Sequence, residues 1–407
     1  MRRRYLSRWG CLLHISSLWV AIGVLLISAS GVVVHAQPAQ ASLREVAAFL
    51  GAVPLPEGSS LSRLRQAAPY QKFAKTMQHD WAHFERVTAN PVRQWGQKWL
   101  PEPPMETVLY PFAGPDFLNA YLMYPKAKQY VLIGLEHGGD VPDLIHMDAD
   151  RLANGLTTFR SALKTLLYVN FFVTKQMEVD IDQAPIPGIM PVVLAAMARL
   201  NLEPMAIRPI QVNMQGNIDD VSVPSVTREK LERDLLARLK NIDDVAAPST
   251  AQSKWHGYES VEVRFRSPEG EERRLIYLSM DLSDRAFKAH PHWVAFYQTL
   301  GEVSGLIKAG SYLMHSRNFA MIRNIMLQQA RIIVQDDSGI PLAYLNTTGW
   351  MLQPFGVYTA PLPRFKHKAQ PSLRELYAKG AEPLPFPWGY GNAAKQTNLL
   401  LVRRKPE

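Results

Sequence analysis

TVLYPFAGPDFLNAYLMYPKAKQYVLIGLEHGG, residues 107–139, is the stretch on which the fold turns. Residues 107–112 are β-prone and predict a strand, and 115–124 predict a short helix. Residues 129–135 form an unbroken apolar run, the pattern of a strand buried on both faces. Moving outward, 149–169 reads as a helix with Leu152, Leu156, Phe159, Leu163, Leu166 and Leu167 along one side. Residues 189–200 give another helix and 205–212 another strand. This alternation predicts an α/β protein with a mainly parallel, Rossmann-like sheet and covering helices.

Upstream, residues 37–104 read as a helical N-terminal segment. Phe73, Met77, Trp81 and Phe84 recur at spacings of four, four and three, which makes one apolar stripe. Downstream of 105–245, the α/β half, a linker around 243–253 leads to an α+β C-terminal half, 254–407. Its first feature is a β-hairpin, two alternating stretches at 258–266 and 273–279 around Ser267-Pro268-Glu269-Gly270. Residues 293–306 and 312–329 read as helices, 331–334 and 341–345 as short strands, and 372–378 as a helix in an aromatic-rich tail.

The first 36 residues bear on compartment rather than fold. A basic head (Arg2, Arg3, Arg4, Arg8), an apolar core at 18–34 and Val34-His35-Ala36 before Gln37 form the pattern of a cleaved signal peptide. The competing reading is an uncleaved anchor, since 18–34 is about the minimum length of a membrane span. A periplasmic location is the expectation, with attachment to a membrane only through this leader if it stays uncleaved.

Export excludes most ATP-, NAD- and nucleic-acid-dependent chemistry. Cys11, the only cysteine, lies in the leader, so the mature chain has no disulfide, cysteine metal site or cysteine nucleophile. The leader also holds four of the 45 basic residues, leaving 41 against 36 acidic ones, a net charge of +5 that implies no nucleic-acid partner. Apolar residues make up 47% of the chain, enough for a packed core. No cofactor is expected, and no metal.

Three predicted strands run into acids: Asp116 after the first, Glu136 after the second, and Asp336-Asp337 after a later one. Ligands of open α/β sheets bind beyond the carboxyl ends of strands, so these four carboxylates are expected to converge on one crevice. Adjacent carboxylates repel, and one of them can then be held protonated. Asp116 as a helix cap and Asp336-Asp337-Ser338-Gly339 as a plain turn are the competing readings. If the pair faces a shared crevice, Asp→Asn at both positions relieves repulsion and raises the melting temperature. A plain turn changes little.

Lys308 to His315 reads as a helix lining a pocket, with Ser311 and His315 on one face and Tyr312 beside them. His315 with Asp336 and Asp337 forms the candidate catalytic set. Lys308, Tyr312, Gln335 and Ser338 join Asp116 and Glu136 as candidate ligand-binding residues. His137, Asp140, Asp143, His146, Asp148 and Asp150 are dense enough to consider a metal, but a loop running into a helix capped by Asp148 accounts for them equally well.

The stretches YPFAGPDFL (110–118), SYLMH (311–315), QDDSGIP (335–341) and PFPWGYG (385–391) resemble a family of exported bacterial proteins of unknown function. The resemblance implies export and a single site built from these motifs, and it implies no activity. Three functional readings follow. The first is a periplasmic binding or envelope-accessory protein with a polar acidic crevice, whose partner is an envelope glycan or small molecule stacked on Trp350, Phe355, Tyr358, Phe386, Trp388 or Tyr390. The second is an acid–base hydrolase of an envelope component. The third is a non-catalytic envelope scaffold.

Overall fold

In the computed structural model, strands β1 (Thr107–Tyr110) and β2 (Gln129–Gly134) pair in parallel and are joined through the helix Phe117–Met123. Residues 40–100, 105–169, 185–186, 188–221, 259–345, 349–390 and 397–405 are described. The leader, the linker at 243–253 and residues 228–239, whose charge-laced amphipathic sequence predicts a helix, lie outside them. Every residue of β1 and β2 is buried. A strand buried along its whole length belongs in the middle of a sheet covered on both sides, and that is the position of both here.

Eight further strands complete the sheet: β3 (Glu203–Val212), β4 (Ile218–Asp220), β5 (Val261–Arg266), β6 (Glu272–Ser279), β7 (Val303–Ile307), β8 (Ala330–Gln335), β9 (Trp350–Gly356) and β10 (Asn398–Arg404). Their order is β4-β3-β5-β6-β2-β1-β7-β8-β10-β9. The five central strands, β6 through β8, are parallel. Both flanks are antiparallel: β4, β3 and β5 on one side, β10 and β9 on the other. The molecule is therefore a mixed α/β protein whose ten-stranded sheet has a parallel centre.

Side chains alternate between the two faces with the period of two that a strand imposes. Val108, Tyr110, Tyr130, Leu132 and Val334 enter one core with the helices Leu43–Leu50, Ala68–Phe84, Ala149–Lys164 and Met190–Arg199. Leu109, Val131, Ile133, Ile307 and Ile333 enter the other with Asp284–Ala289, His292–Thr299, Ala320–Gln329 and Pro371–Gly380. Phe73, Met77, Trp81 and Phe84 all face the first core. Each such burial contributes about 1.5–3 kcal/mol, which fastens that long helix to the helix Ala149–Lys164 and into this core. Buried Asp80 adds a polar tie, accepting from Arg160 Nη2 at 2.8 Å and Tyr168 Oη at 2.9 Å on the neighbouring helical segment.

Several sequence expectations need correction. Residues 293–306 are not one helix. The helix ends at Thr299, Gly301 turns the chain at φ +63°, and β7 follows. Residues 342–345 form a helical turn rather than a strand, and the tail supplies β9 and β10. Residues 308–315 are not a helix either. Ala309, Ser311 and Tyr312 have φ of 53°, 52° and 54°, and only Leu313–His315 is a 3-10 turn. Ser311 and His315 thus do not share a helical face.

Candidate functional site

From β1 the chain crosses to β2 on one side, and it later returns as β7 on the other side of β1. The loops leaving β1 and β7 therefore part from each other, which opens a crevice at the carboxyl ends of the parallel strands. A cavity of about 310 Å3 occupies this point, lined by the loops after β1, β2, β6 and β7 and by Arg364, Phe365 and Tyr390.

Its floor is an ion pair. Lys308 Nζ, just beyond β7, lies 2.6 Å from Asp116 Oδ2, and the two side chains are 1% and 2% exposed. Asp116 also accepts from Tyr110 Oη at 2.9 Å, from Asn119 Nδ2 at 2.7 Å and from Asn119 N at 3.3 Å. It is thus both the cap of the helix Phe117–Met123 and the counter-charge of Lys308. Burial lowers the Lys308 pKa and the Asp116 charge opposes that shift. The Lys308 ammonium also lies 5.2 Å from the centre of the Trp388 ring. Glu136 is buried at the wall beyond β2, with Oε2 accepting from Leu135 N at 3.1 Å. Leu135 beside it is 62% exposed.

Asp336 does not line the cavity; it ties together the loops that do. Its Oδ2 accepts from Ala309 N at 3.0 Å and Tyr390 N at 3.2 Å, and its Oδ1 accepts from Ser338 N at 3.0 Å and from the Ser338 hydroxyl. Ser338 Oγ in turn accepts from Gly310 N at 2.8 Å. Gly389, at φ +56°, has to be glycine, because a Cβ there would lie 2.0 Å from Asp336 Oδ2. Among the described residues, six non-glycine positions have positive φ, and four of them, Phe112, Ala309, Ser311 and Tyr312, surround this crevice. Such backbone costs about 1–2 kcal/mol per residue and persists where neighbours hold it, as Asp336 does here.

Asp337 turns away into the protein. Its carboxylate accepts from the Tyr312 hydroxyl and from Asn398 Nδ2 at 3.0 Å, and its N–H donates to Asn398 Oδ1 at 2.9 Å. Burial raises the Asp336 carboxyl, opposed by its hydrogen bonds from Ser338, Ala309 and Tyr390. Burial also raises Asp337, and the charge of Asp336 raises it further. Asp336 meets only donors, which favour its charged form, whereas the nearby charge of Asp336 adds to the rise at Asp337. The condition under which Asp→Asn at both positions is expected to raise stability, a pair facing a shared crevice, is not met, and at Asp336 an amide would turn its own N–H groups toward N–H donors.

Of the candidate residues, the structure brings Asp116, Glu136 and Lys308 to the cavity. Asp336 and Ser338 stand behind its wall. Gln335 closes the turn after β8, with Nε2 donating to Ile340 O and Oε1 accepting from Ile340 N, both at 2.9 Å. Tyr312 lies under Phe365 and Tyr390, with ring centres 4.7 and 6.1 Å away. His315 packs edge-on against Tyr312 and makes no ion pair with Asp336 or Asp337 among the described residues. Burial, with the positive charge of Lys368, pushes the His315 imidazole down to about 4.

Sequence reasoning missed Tyr110, Asn119, Asp281 and Arg364. Asp281 follows β6 as Glu136 follows β2, so the rule of acids after strands would have found it. The six late aromatics are all buried, and of them only Tyr390 reaches the cavity. In the 137–150 loop, Asp148 caps the helix Ala149–Lys164 by accepting from Arg151 N, and His146 pairs with Asp143 at 2.7 Å. No group of three or more metal-ligating side chains comes together among the described residues.

No protein-family model matches the chain, and no curated protein or solved structure proves similar to it.

Proposed function

We propose that this chain is an exported binding or envelope-accessory protein that holds a small polar organic molecule in the crevice beyond β1, β2, β6 and β7. One observation carries the reading: a cavity of about 310 Å3 lies where the strand order reverses, floored by the buried Asp116–Lys308 pair. Ligand pockets have about this size and concentrate at this place in α/β sheets. Strands β6, β2, β1, β7 and β8 stand in 3-2-1-4-5 order, which supports a Rossmann-like scaffold behind a helical N-terminal layer. A methyltransferase-like ancestry without retained chemistry fits the same order as a fold-level analogy. The YPFAGPDFL, QDDSGIP, SYLMH and PFPWGYG stretches supply Asp116, Asp336, Ser311 and Tyr390 to one neighbourhood, which favours a shared site for the resembled family. Export and a periplasmic location rest on the leader pattern.

Native mass spectrometry of protein purified from its own envelope, followed by thermal-shift titration of whatever is retained, tests this. The expected result is a small polar molecule whose stabilisation is lost in Glu136→Gln and in Leu135→Trp, the latter narrowing the mouth without touching the core. A molecule indifferent to both changes, or silence from extract and metabolite panel alike, refutes the assignment.

A further inference from the structure

The crevice has an electrical direction. Glu136 and Asp281 follow β2 and β6, and so stand on one side of β1. Arg364 leans on Tyr390, which leads into β10 on the other side. Between them Asp116 and Lys308 cancel each other. Arg364 is exposed, lines the cavity and has no carboxylate partner among the described residues. Its guanidinium is positioned by aromatic faces, 4.7 Å from the Phe365 centre and 5.3 Å from that of Tyr390. Those rings rest on Tyr312, in a small cluster separate from both cores. A guanidinium held by rings keeps its hydrogen-bond fork available and has already lost much of its rotational freedom, as suits a receiver of planar anions. Across the cavity, the Asp281 oxygens accept from Ser283 N at 2.9 Å and Ser283 Oγ at 3.0 Å. Each carboxylate oxygen has a second lone pair for a ligand donor.

We propose that the ligand is a zwitterion, with a carboxylate or phosphate received by Arg364 and an ammonium received by Glu136 and Asp281. The proposal rests on the binding reading above and adds the chemistry of the two ligand ends. A neutral sugar leaves Arg364 unused, and a simple anion meets two carboxylates with nothing to offer them.

The test is calorimetric titration of the mature chain with ω-amino acids of increasing chain length, alongside the matching carboxylates, amines and phosphorylated amino alcohols. Some zwitterion should bind more tightly than its carboxylate or its amine, with the phosphorylated arm showing which anion is preferred. Arg364→Gln should weaken the zwitterion and the carboxylate by about tenfold or more while leaving the amine unchanged. Arg364→Lys should recover part of the loss. Because the Arg364 side chain makes no hydrogen bond within the described fold, an unchanged melting temperature verifies that the variant is intact. Equal binding by all charge types, indifference to Arg364→Gln, or silence across the series overturns the proposal. A retained natural ligand that needs Glu136 but not Arg364 sinks this inference alone; a ligand that ignores both positions sinks the crevice reading with it.

Discussion

Lys308→Met and Asp116→Asn should each destabilise the protein, with opposite dependence on pH. Removing one member of a buried pair typically costs about 3–5 kcal/mol, because the remaining charge has lost its partner. The 1% and 2% exposures put this pair in that class. In Lys308→Met the stranded carboxylate can escape by taking a proton. At pH 7 that costs about three pH units from an unfolded aspartate, or about 4 kcal/mol, which caps the loss. Donors on Tyr110 and Asn119 remain and reduce it further.

The cost of protonation falls as pH drops, so the gap between Lys308→Met and wild type should narrow from pH 7 to pH 4. In Asp116→Asn the group deprived of its carboxylate is an ammonium, which escapes by losing a proton, so its deficit should narrow as pH rises from 7 to 9. The double variant should lose clearly less than the sum of the singles, since neither charge is then stranded. Urea unfolding of all four proteins at pH 5, 7 and 9 measures each term. Additive losses, or singles within about 0.5 kcal/mol of wild type, would show that the pair is solvated and that the buried floor of the crevice is wrongly assigned.

The two neighbouring aspartates should separate. Asp336→Asn is expected to cost about 1–3 kcal/mol, because even the better amide flip sets an NH2 against Ser338 N–H, whereas Asp337→Asn should stabilise above neutral pH, where its raised carboxyl otherwise ionises beside Asp336. Thermal scans at pH 8 decide, and equal effects would defeat the division of roles. Gly389→Ala should fail to give folded protein or lower the melting temperature sharply, since its Cβ overlaps Asp336 Oδ2 at positive φ; a normal melting temperature would mean that the loop sits elsewhere. His315, held down to about 4, contributes stability that is complete above its unfolded value near 6.5 and is lost as pH falls toward 4. His315→Gln should therefore flatten the stability curve across that window, and an unaltered acid limb would count against burial of the ring.

The βαβ unit at residues 107–134 was legible because a strand covered on both faces has no polar alternation to hide it. Strand β7 was not. Ser304 and Gly305 break its apolar run, and the preceding helix supplies a periodic pattern that reads straight through Gly301. The acids after strands were visible for the same reason the crevice exists, that parallel strands end together. Arg364 was invisible as a site residue because a loop far away in sequence brings it there, and Tyr390 was named only as one of six late aromatics. The positive φ of Ala309, Ser311 and Tyr312 has no residue-type signature, so 308–315 looked helical. Asp336 and Asp337, adjacent in sequence, serve different neighbourhoods because successive side chains leaving a strand point to opposite faces.

The seating of β10 between β8 and β9 has a consequence for the order of assembly. The last of the ten strands in chain order is an inner one, so until it arrives β8 and β9 each expose an unpaired edge. The same late segment carries Trp388 over Lys308, and Gly389 and Tyr390 against Asp336. A chain delivered from its N-terminus can thus lay down both helical layers and most of the sheet and still have neither a closed crevice nor a sealed edge. Such long-range pairing is slow and leaves strand edges open to other chains in the meantime. Interruption at this stage would leave two open strand edges and an unclosed crevice.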